Sequence, residues 1–219
     1  MIDHALLKPS LTEEELDTGI QLACDLNVAS VCIMPFALKQ AAELLQESPV
    51  KASTVIGFPH GVNTTAVKVA EVHQALKDGA DELDVVVNIP WVVSMHWTKV
   101  YDDIKAMTEP IHDAGAKIKV IFENAYLTDR QKARLCEICT ELNVDWVKTS
   151  TGFASSGATD HDLQLMREHA GDRVQVKASG GIKTLEDALR VKELGVTRIG
   201  MSGTAEILEA ARQRDTQTV

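Results

Sequence analysis

Glu82-Leu83-Asp84-Val85-Val86-Val87-Asn88 is the stretch on which the fold turns. Side chains alternate along a strand, and here leucine and valine occupy both faces, so a strand built from this run is buried on both sides. Such strands belong to parallel sheets covered by helices. The aspartate in the middle is the exception, because a charge embedded among buried valines needs a partner or a task. Comparable runs recur at Ile2–Leu7, Ser30–Met34, Ala52–Phe58, Lys117–Glu123, Asp145–Ser150, Val174–Ala178 and Thr197–Met201. Between them lie segments of helical period with recognisable starts. Thr12-Glu-Glu-Glu15 and Thr128-Asp-Arg-Gln131 are capping boxes, and Thr184 caps a helix that Gly195 ends.

The chain therefore alternates strand and helix throughout, at about 27 residues per unit, close to the compact end of a (β/α)8 barrel. The expected fold is α/β, a single-domain (β/α)8 TIM barrel over residues 1–211 with a polar, fraying tail at 212–219. An open doubly wound sheet is the alternative; no strand is followed by the Gly-x-Gly-x-x-Gly turn that many such sheets carry. No linker, low-complexity run or residue-level repeat interrupts the pattern.

Composition agrees with one sizeable core: 45% of residues are apolar and 25% charged. Lys and Arg number 22 against 32 Asp and Glu, and the resulting charge of −10 repels phosphate backbones and anionic bilayers. Nucleic acid and membrane are not expected partners, although a locally basic pocket can still hold a small anion. The start, Met1-Ile2-Asp3-His4, lacks the basic and apolar regions of a signal peptide, and no run approaches the roughly 18 apolar residues of a membrane span. A cytoplasmic protein is expected. Cys24, Cys32, Cys136 and Cys139 are too few for a disulfide scaffold. Cys136-x-x-Cys139 lacks the second pair of a zinc site and reads as two core residues one turn apart. The 7 histidines form no His-x-His or His-Glu-x-x-His set, so neither a metal nor another cofactor is expected.

In a barrel the reacting groups come from the C-terminal ends of strands. Polar residues late in the apolar runs are Asp3, Cys32, Asp84, Glu123, Lys148 and Lys177. A single strand lysine is explained by an ion pair. Two on consecutive strands can approach within about 6 Å, and at an effective dielectric near 20 they repel by about 2–3 kcal/mol, or about two pKa units. A lysine so lowered is partly neutral near pH 7, and a neutral amine can attack a carbonyl to form a Schiff base. A carboxylate such as Asp84 can then shuttle the protons. Two glycine-rich turns, Ser179-Gly180-Gly181 and Gly200-Met201-Ser202-Gly203-Thr204, follow the last two strands, where barrels cradle phosphate on backbone N–H groups.

These residues fall into a pattern. Ile2-Asp3-His4, Val31-Cys32-Ile33, Ile56-Gly57-Phe58-Pro59-His60-Gly61, Gly79-Ala80-Asp81-Glu82-Leu83-Asp84-Val85-Val86, Lys119-Val-Ile-Phe-Glu123, Val147-Lys148-Thr149-Ser150-Thr151-Gly152-Phe153, Val176-Lys177-Ala178-Ser179-Gly180-Gly181 and Arg198-Ile199-Gly200 resemble, in order, the deoxyribose-phosphate aldolase family. The resemblance implies a metal-free class I aldolase that interconverts 2-deoxy-D-ribose 5-phosphate with acetaldehyde and D-glyceraldehyde 3-phosphate. It makes Lys148 the Schiff-base lysine, Lys177 the lysine that lowers its pKa, Asp84 the proton-relay carboxylate and Asp3 the partner of Lys177. Cys32 matches a pocket cysteine whose role, packing or reactive, stays open. Thr151 supports the site, and Gly152, Gly180, Gly181, Gly200 and Ser202 match phosphate-binding positions. The chain departs from the family pattern at Ala5, where threonine is common, at Gly203, where a second serine is common, and in lacking a C-terminal tyrosine. These departures leave imine chemistry intact and bear on rate and substrate preference.

Three residue groups stay open. Glu123 either contacts Lys148 or makes a structural pair, and His60 either joins the chemistry or lies in a loop. Trp91, His96 and Trp97 form a hydrophobic lid or a subunit contact. Alternatives to the leading function are another Schiff-base aldolase or transaldolase acting on a different phosphorylated sugar, and a non-catalytic sugar-phosphate binder. A homodimer is the expected assembly.

Overall fold

A computed structural model describes residues 1–217. Its strands are β1 (Ile2–Leu6), β2 (Ser30–Ile33), β3 (Lys51–Ile56), β4 (Glu82–Val86), β5 (Lys117–Ile121), β6 (Trp146–Lys148), β7 (Gln175–Ser179) and β8 (Arg198–Met201). They pair in parallel in chain order, and β8 closes on β1 through Ile2↔Ile199, Asp3↔Gly200 and His4↔Met201. The barrel is closed, which removes the open-sheet alternative. Each apolar run of the sequence supplies one strand. The first six strands stop short of the runs because the next residues turn into loops at the C-terminal rim, whereas β7 extends one residue past its run to Ser179 and β8 ends with its run at Met201.

The helices are α1 (Glu13–Asp25), α2 (Leu38–Leu44), α3 (Thr65–Lys77), α4 (Ile89–Val93), α5 (Trp97–Asp113), α6 (Asp129–Glu141), α7 (Asp160–His169), α8 (Leu185–Glu193) and α9 (Thr204–Gln217). The three sequence-predicted caps are in place: Thr12 with Glu15, Thr128 with Gln131, and Thr184 with Asp187 each form a capping box. The last helix continues past Ala211 to Gln217, so the part of the expected tail that is described is helical. Gln213 donates to Glu209 one turn earlier at 2.9 Å, and Ala, Arg and Gln are good helix formers, so polar composition here does not mean fraying. Thr218 and Val219 lie outside the described residues.

Two shells divide the barrel. Outward-facing Val31, Ile33, Leu83, Val85, Ile118, Val120, Val147 and Val176 are buried under the helices and pack with Leu16, Ile20, Val72, Ile104, Leu135 and Leu163. Each such side chain is worth about 1.5–3 kcal/mol of burial, and this shell holds the fold. Cys136 and Cys139 belong to it as fully buried thiols, as expected. Burial pushes Cys136 up to about 12, leaving it a small apolar residue rather than a nucleophile.

The inner shell is different. Alternation and register stack the inward side chains in layers drawn from alternate strands, but the bulky aliphatics usual in such layers are largely replaced by charge. Glu82, Trp146 and Arg198 of the even strands form the floor. Asp3, Ser53, Lys119 and Lys177 of the odd strands lie above them, and Cys32, Asp84, Lys148 and Gly200 above those.

Candidate active site

The layered charges form one network. Asp84 is fully buried, and each of its oxygens is occupied: Lys119 Nζ donates to Oδ1 at 2.8 Å, while Lys148 and Lys177 both donate to Oδ2 at 2.7 and 2.8 Å. Lys177 Nζ also lies 2.5 Å from Asp3 Oδ2. Lys119 contacts Glu82 at 2.6 Å and Asp3 at 3.7 Å. Arg198 closes the base, donating to Asp3 at 2.6 Å and to both oxygens of Glu82 at 3.0 and 2.8 Å. The Trp146 ring lies 4.9 Å from the Arg198 guanidinium carbon and 5.9 Å from Lys119 Nζ, a cation–π floor.

Lys148 has the weakest hold on its proton. Burial pushes its pKa down, the charge of Asp84 opposes this, and repulsion from Lys177 adds to the lowering; the net shift is downward. The downward direction matches the expectation from sequence, but burial, not the like charge of Lys177, is the main cause. Lys177 is also buried, yet Asp3 and then Asp84 more than offset burial and raise it, so it stays an ammonium. Burial works against ionisation of Asp84 as well, but Lys119, Lys148 and Lys177 together hold it well below the usual carboxylate range. The two lysines are crowded together, as the sequence led us to expect, and they share one oxygen of one carboxylate.

A cavity of about 350 Å³ opens above Lys148 at the C-terminal end of the barrel, within the range of small-ligand sites. Asp3, Cys32, Lys148, Thr151, Gly152, Lys177, Gly180, Gly181, Gly200 and Ser202 all line it, so these sequence-predicted residues come together. Asp84 lies behind the lysines rather than on the cavity wall. Gly180 and Gly181 have φ of +80° and +81°, a conformation L side chains rarely adopt, so this stretch of cavity wall requires glycine. Gly200 has a steric reason as well: a Cβ there would meet Ser179 Oγ at 2.6 Å and Lys177 Cε at 3.3 Å. Lys8 and Lys183 add positive charge to the same wall, in a chain of net charge −10. Phe153 lines the opposite side and stacks edge-on against Phe58 at 5.3 Å.

Glu123 does not contact Lys148. Its carboxylate accepts the Thr151 N–H at 3.2 Å and the Thr151 hydroxyl in a close contact, and Thr151 Oγ1 in turn accepts the Phe153 N–H at 3.0 Å. Glu123 thus bolts the loop after β6 over the mouth, aided by a left-handed backbone with φ of +58°. Cys32 is buried beside Asp84 and the lysines; burial raises its thiol, which stays protonated. His60 is exposed in the loop after β3 and is not part of the cavity wall. Trp91 and Trp97 pack partly buried against the core from α4 and α5, not as an exposed lid. Lys119, Glu82 and Arg198 are the functional-site residues that sequence reasoning missed. The signal was there: Lys119 lies two residues beyond Lys117 in β5, so strand alternation aims it inward among aliphatics. No group of three or more His, Cys, Asp and Glu suited to a metal ion occurs among the described residues, and none of their helices is long and apolar enough to cross a membrane.

A family model, that of the DeoC/LacD family aldolases, matches residues 1–206 and so spans every strand and every residue of this network. The chain belongs to the DeoC/LacD aldolase family. It is 59% identical over 214 residues to the deoxyribose-phosphate aldolase of Rhodopirellula baltica, covering 98% of this chain and 89% of that one. Against the deoxyribose-phosphate aldolase of Thermococcus gammatolerans the identity is 44%, over 98% and 96% of the two chains. Among solved structures, the aldolase QR15 superposes with a TM-score of 0.92 at 39% identity, covering 98% of this chain and 95% of its own. A tetrameric deoxyribose phosphate aldolase from Aeropyrum pernix gives 0.89 at 31% identity, with 96% and 89% covered. The family match extends across the whole barrel, including the charged interior.

Proposed function

We propose that this aldolase reversibly cleaves 2-deoxy-D-ribose 5-phosphate to acetaldehyde and D-glyceraldehyde 3-phosphate through a Schiff base on Lys148. The observation that carries the assignment is a lysine of lowered pKa at the foot of the cavity, sharing a carboxylate oxygen with a second, protonated lysine.

In the synthetic direction the free amine of Lys148 attacks the acetaldehyde carbonyl. A C–N bond forms, the carbonyl oxygen leaves as water, and a protonated imine remains. Loss of a proton from the methyl carbon gives an enamine, whose carbon attacks the aldehyde carbon of glyceraldehyde 3-phosphate. Hydrolysis then frees the sugar and the amine. Lys177 is the acid best placed to supply protons. Asp84, strongly ionised and touching both amines, passes protons between them rather than storing one. The phosphate is assigned to the N–H groups around Gly152, Gly180 and Gly181, with Gly200 and Ser202 and the charge of Lys183 beside them. Asp3 holds Lys177, Cys32 packs beneath the imine, and Glu123 holds Thr151 in place. We further assign the protein to the cytoplasm and to a homodimeric assembly.

Incubation with acetaldehyde and cyanoborohydride should add an ethyl group to the peptide bearing Lys148, and Lys148→Leu should abolish the label. An ethyl group on Lys177 instead would reverse the two lysine roles. Retro-aldol turnover of another phosphorylated sugar in preference to deoxyribose 5-phosphate would favour the related-aldolase alternative. Saturable sugar-phosphate binding with neither label nor turnover would favour a binder.

A further inference from the structure

Counting charges in the sealed interior gives an imbalance. The buried carboxylates are Asp3, Glu82 and Asp84, three in number, and the cations in contact with them are Lys119, Lys148, Lys177 and Arg198, four in number. If every group were ionised, the cluster would carry one excess positive charge among side chains that are more than nine-tenths buried, except Arg198, which is 15% exposed near the Met1 amino group and, as a guanidinium, keeps its proton. Such an excess is relieved by loss of one proton. Contacts decide which cation gives it up. Lys119 touches three carboxylates, while Lys177 and Arg198 touch two each. Lys148 touches Asp84 alone and faces the cavity.

We propose that Lys119, Glu82 and Arg198, which lie beneath the cavity, set the protonation of Lys148 by fixing the net charge of the barrel interior, with Lys119 acting as a positioning residue for Asp84. Lys119 occupies Asp84 Oδ1 and leaves only Oδ2, which Lys148 must share with Lys177. Glu82 works in the other direction. It takes up part of the charge of Lys119 and, through Arg198, stands in line with Asp3. The other groups facing Lys148 do not alter the count. Cys32 stays a neutral thiol because burial raises it. Lys8 and Lys183 lie on the open cavity wall, where solvent screens them.

The sign of each perturbation follows. Lys119→Met leaves three carboxylates and three cations, so every remaining cation can keep its proton, and the pKa of Lys148 rises. Lys119 and Lys148 bind different oxygens of Asp84, and two charges about 6 Å apart at an effective dielectric near 20 couple by about two pKa units, which sets the expected shift. Glu82→Gln leaves two carboxylates and four cations and pushes Lys148 lower, by about one unit because Glu82 is further away. The double variant restores the native imbalance, with two carboxylates and three cations.

The inference deepens the aldolase reading, and its test is kept independent of it. The rate of Lys148 acetylation by trace acetic anhydride is followed against pH by mass spectrometry, which requires no aldehyde and no turnover. The midpoint for Lys148 should move up in Lys119→Met, down in Glu82→Gln and back to within about half a unit of the native value in the double variant. Lys119→Arg, which keeps the charge, should leave the midpoint in place. Should Lys119→Met fail to fold, the downward shift in Glu82→Gln and the unmoved midpoint in Lys119→Arg carry the test. Equal midpoints in all variants, or shifts of the same sign in Lys119→Met and Glu82→Gln, overturn the inference even if acetaldehyde labels Lys148. Shifts of the stated signs without imine trapping uphold it and remove the aldolase reading.

Discussion

Replacing Lys177 with leucine tests the central electrostatic claim most directly. Lys148 and Lys177 donate to the same oxygen of Asp84 at 2.7 and 2.8 Å, so their nitrogens are separated by at most the sum of those distances, 5.5 Å. At that separation and an effective dielectric of about 20, two positive charges repel by about 3 kcal/mol, equivalent to about two pKa units. Removing one of them should raise the pKa of Lys148 by about that amount. The freed lone pairs of Asp84 Oδ2 shift it in the same direction. Asp3 keeps Arg198 at 2.6 Å and Lys119 at 3.7 Å, so the loss does not strand a buried carboxylate. The assay is the initial rate of acetaldehyde trapping by cyanoborohydride as a function of pH. In Lys177→Leu the rising limb should shift about two units upward, which below both limbs is about a 100-fold loss of rate. Above the shifted limb, the remaining deficit reports how much Lys177 contributes as a proton donor. A limb that stays in place or moves downward would refute the claim that crowding by Lys177 helps to deprotonate Lys148.

Two further predictions concern stability. Lys148→Met should abolish activity yet raise the melting temperature, because a lysine whose pKa is lower in the folded state binds its proton better when unfolded, and so destabilises the fold at neutral pH. The expected change is a rise of a few degrees in a domain of this size, and a lower melting temperature would contradict it. Behind the barrel, Lys68 is fully buried between α3 and α5, donating to Asp103 at 2.8 Å and to the Val86 carbonyl at 2.9 Å. Lys68→Met leaves the buried Asp103 charge with only the Thr65 hydroxyl, 2.6 Å away, and should cost about 3–5 kcal/mol in urea unfolding. The double variant with Asp103→Leu should recover most of that loss, and a double variant as unstable as the single one would show that the pair is not the cause.

The barrel could be read from the chain because its outer shell obeys a simple rule. Runs such as Leu83 to Val87 are apolar on both faces, and capping boxes at Thr12, Thr128 and Thr184 mark where helices resume. The inner shell was legible only where charge interrupts apolar sequence, as at Asp84, Lys148 and Lys177. Glu82 opens β4 and Lys119 lies in the middle of β5; alternation aims Lys119 inward, but only the closed register brings the two together beneath Asp84. Arg198 opens β8 in the same way. The position of Glu123 was legible but its partner was not, since the contact with Thr151 depends on a left-handed turn and on two adjacent loops. Causes were harder to read than positions: the sequence supplies the like charge of Lys177, but burial of Lys148 exists only in the closed barrel.

A sealed, charged interior also explains why one end of the barrel reacts. Arg198, Trp146 and Glu82 close the floor with ion pairs and an aromatic ring, and Arg198, the most exposed of the three, cannot give up its proton near neutrality. The charge is relieved at the lysine with the fewest carboxylates, and Lys148 is that lysine, at the foot of the cavity and held by one carboxylate. The aliphatic shell outside the strands bears the energetic burden of this arrangement. It frees the interior from serving as a hydrophobic core, and three strands can present lysines to one aspartate without unfolding the barrel. Reactivity at the mouth is therefore a property of the whole column of charge beneath it, and substitutions at the floor should alter chemistry at an atom they never touch.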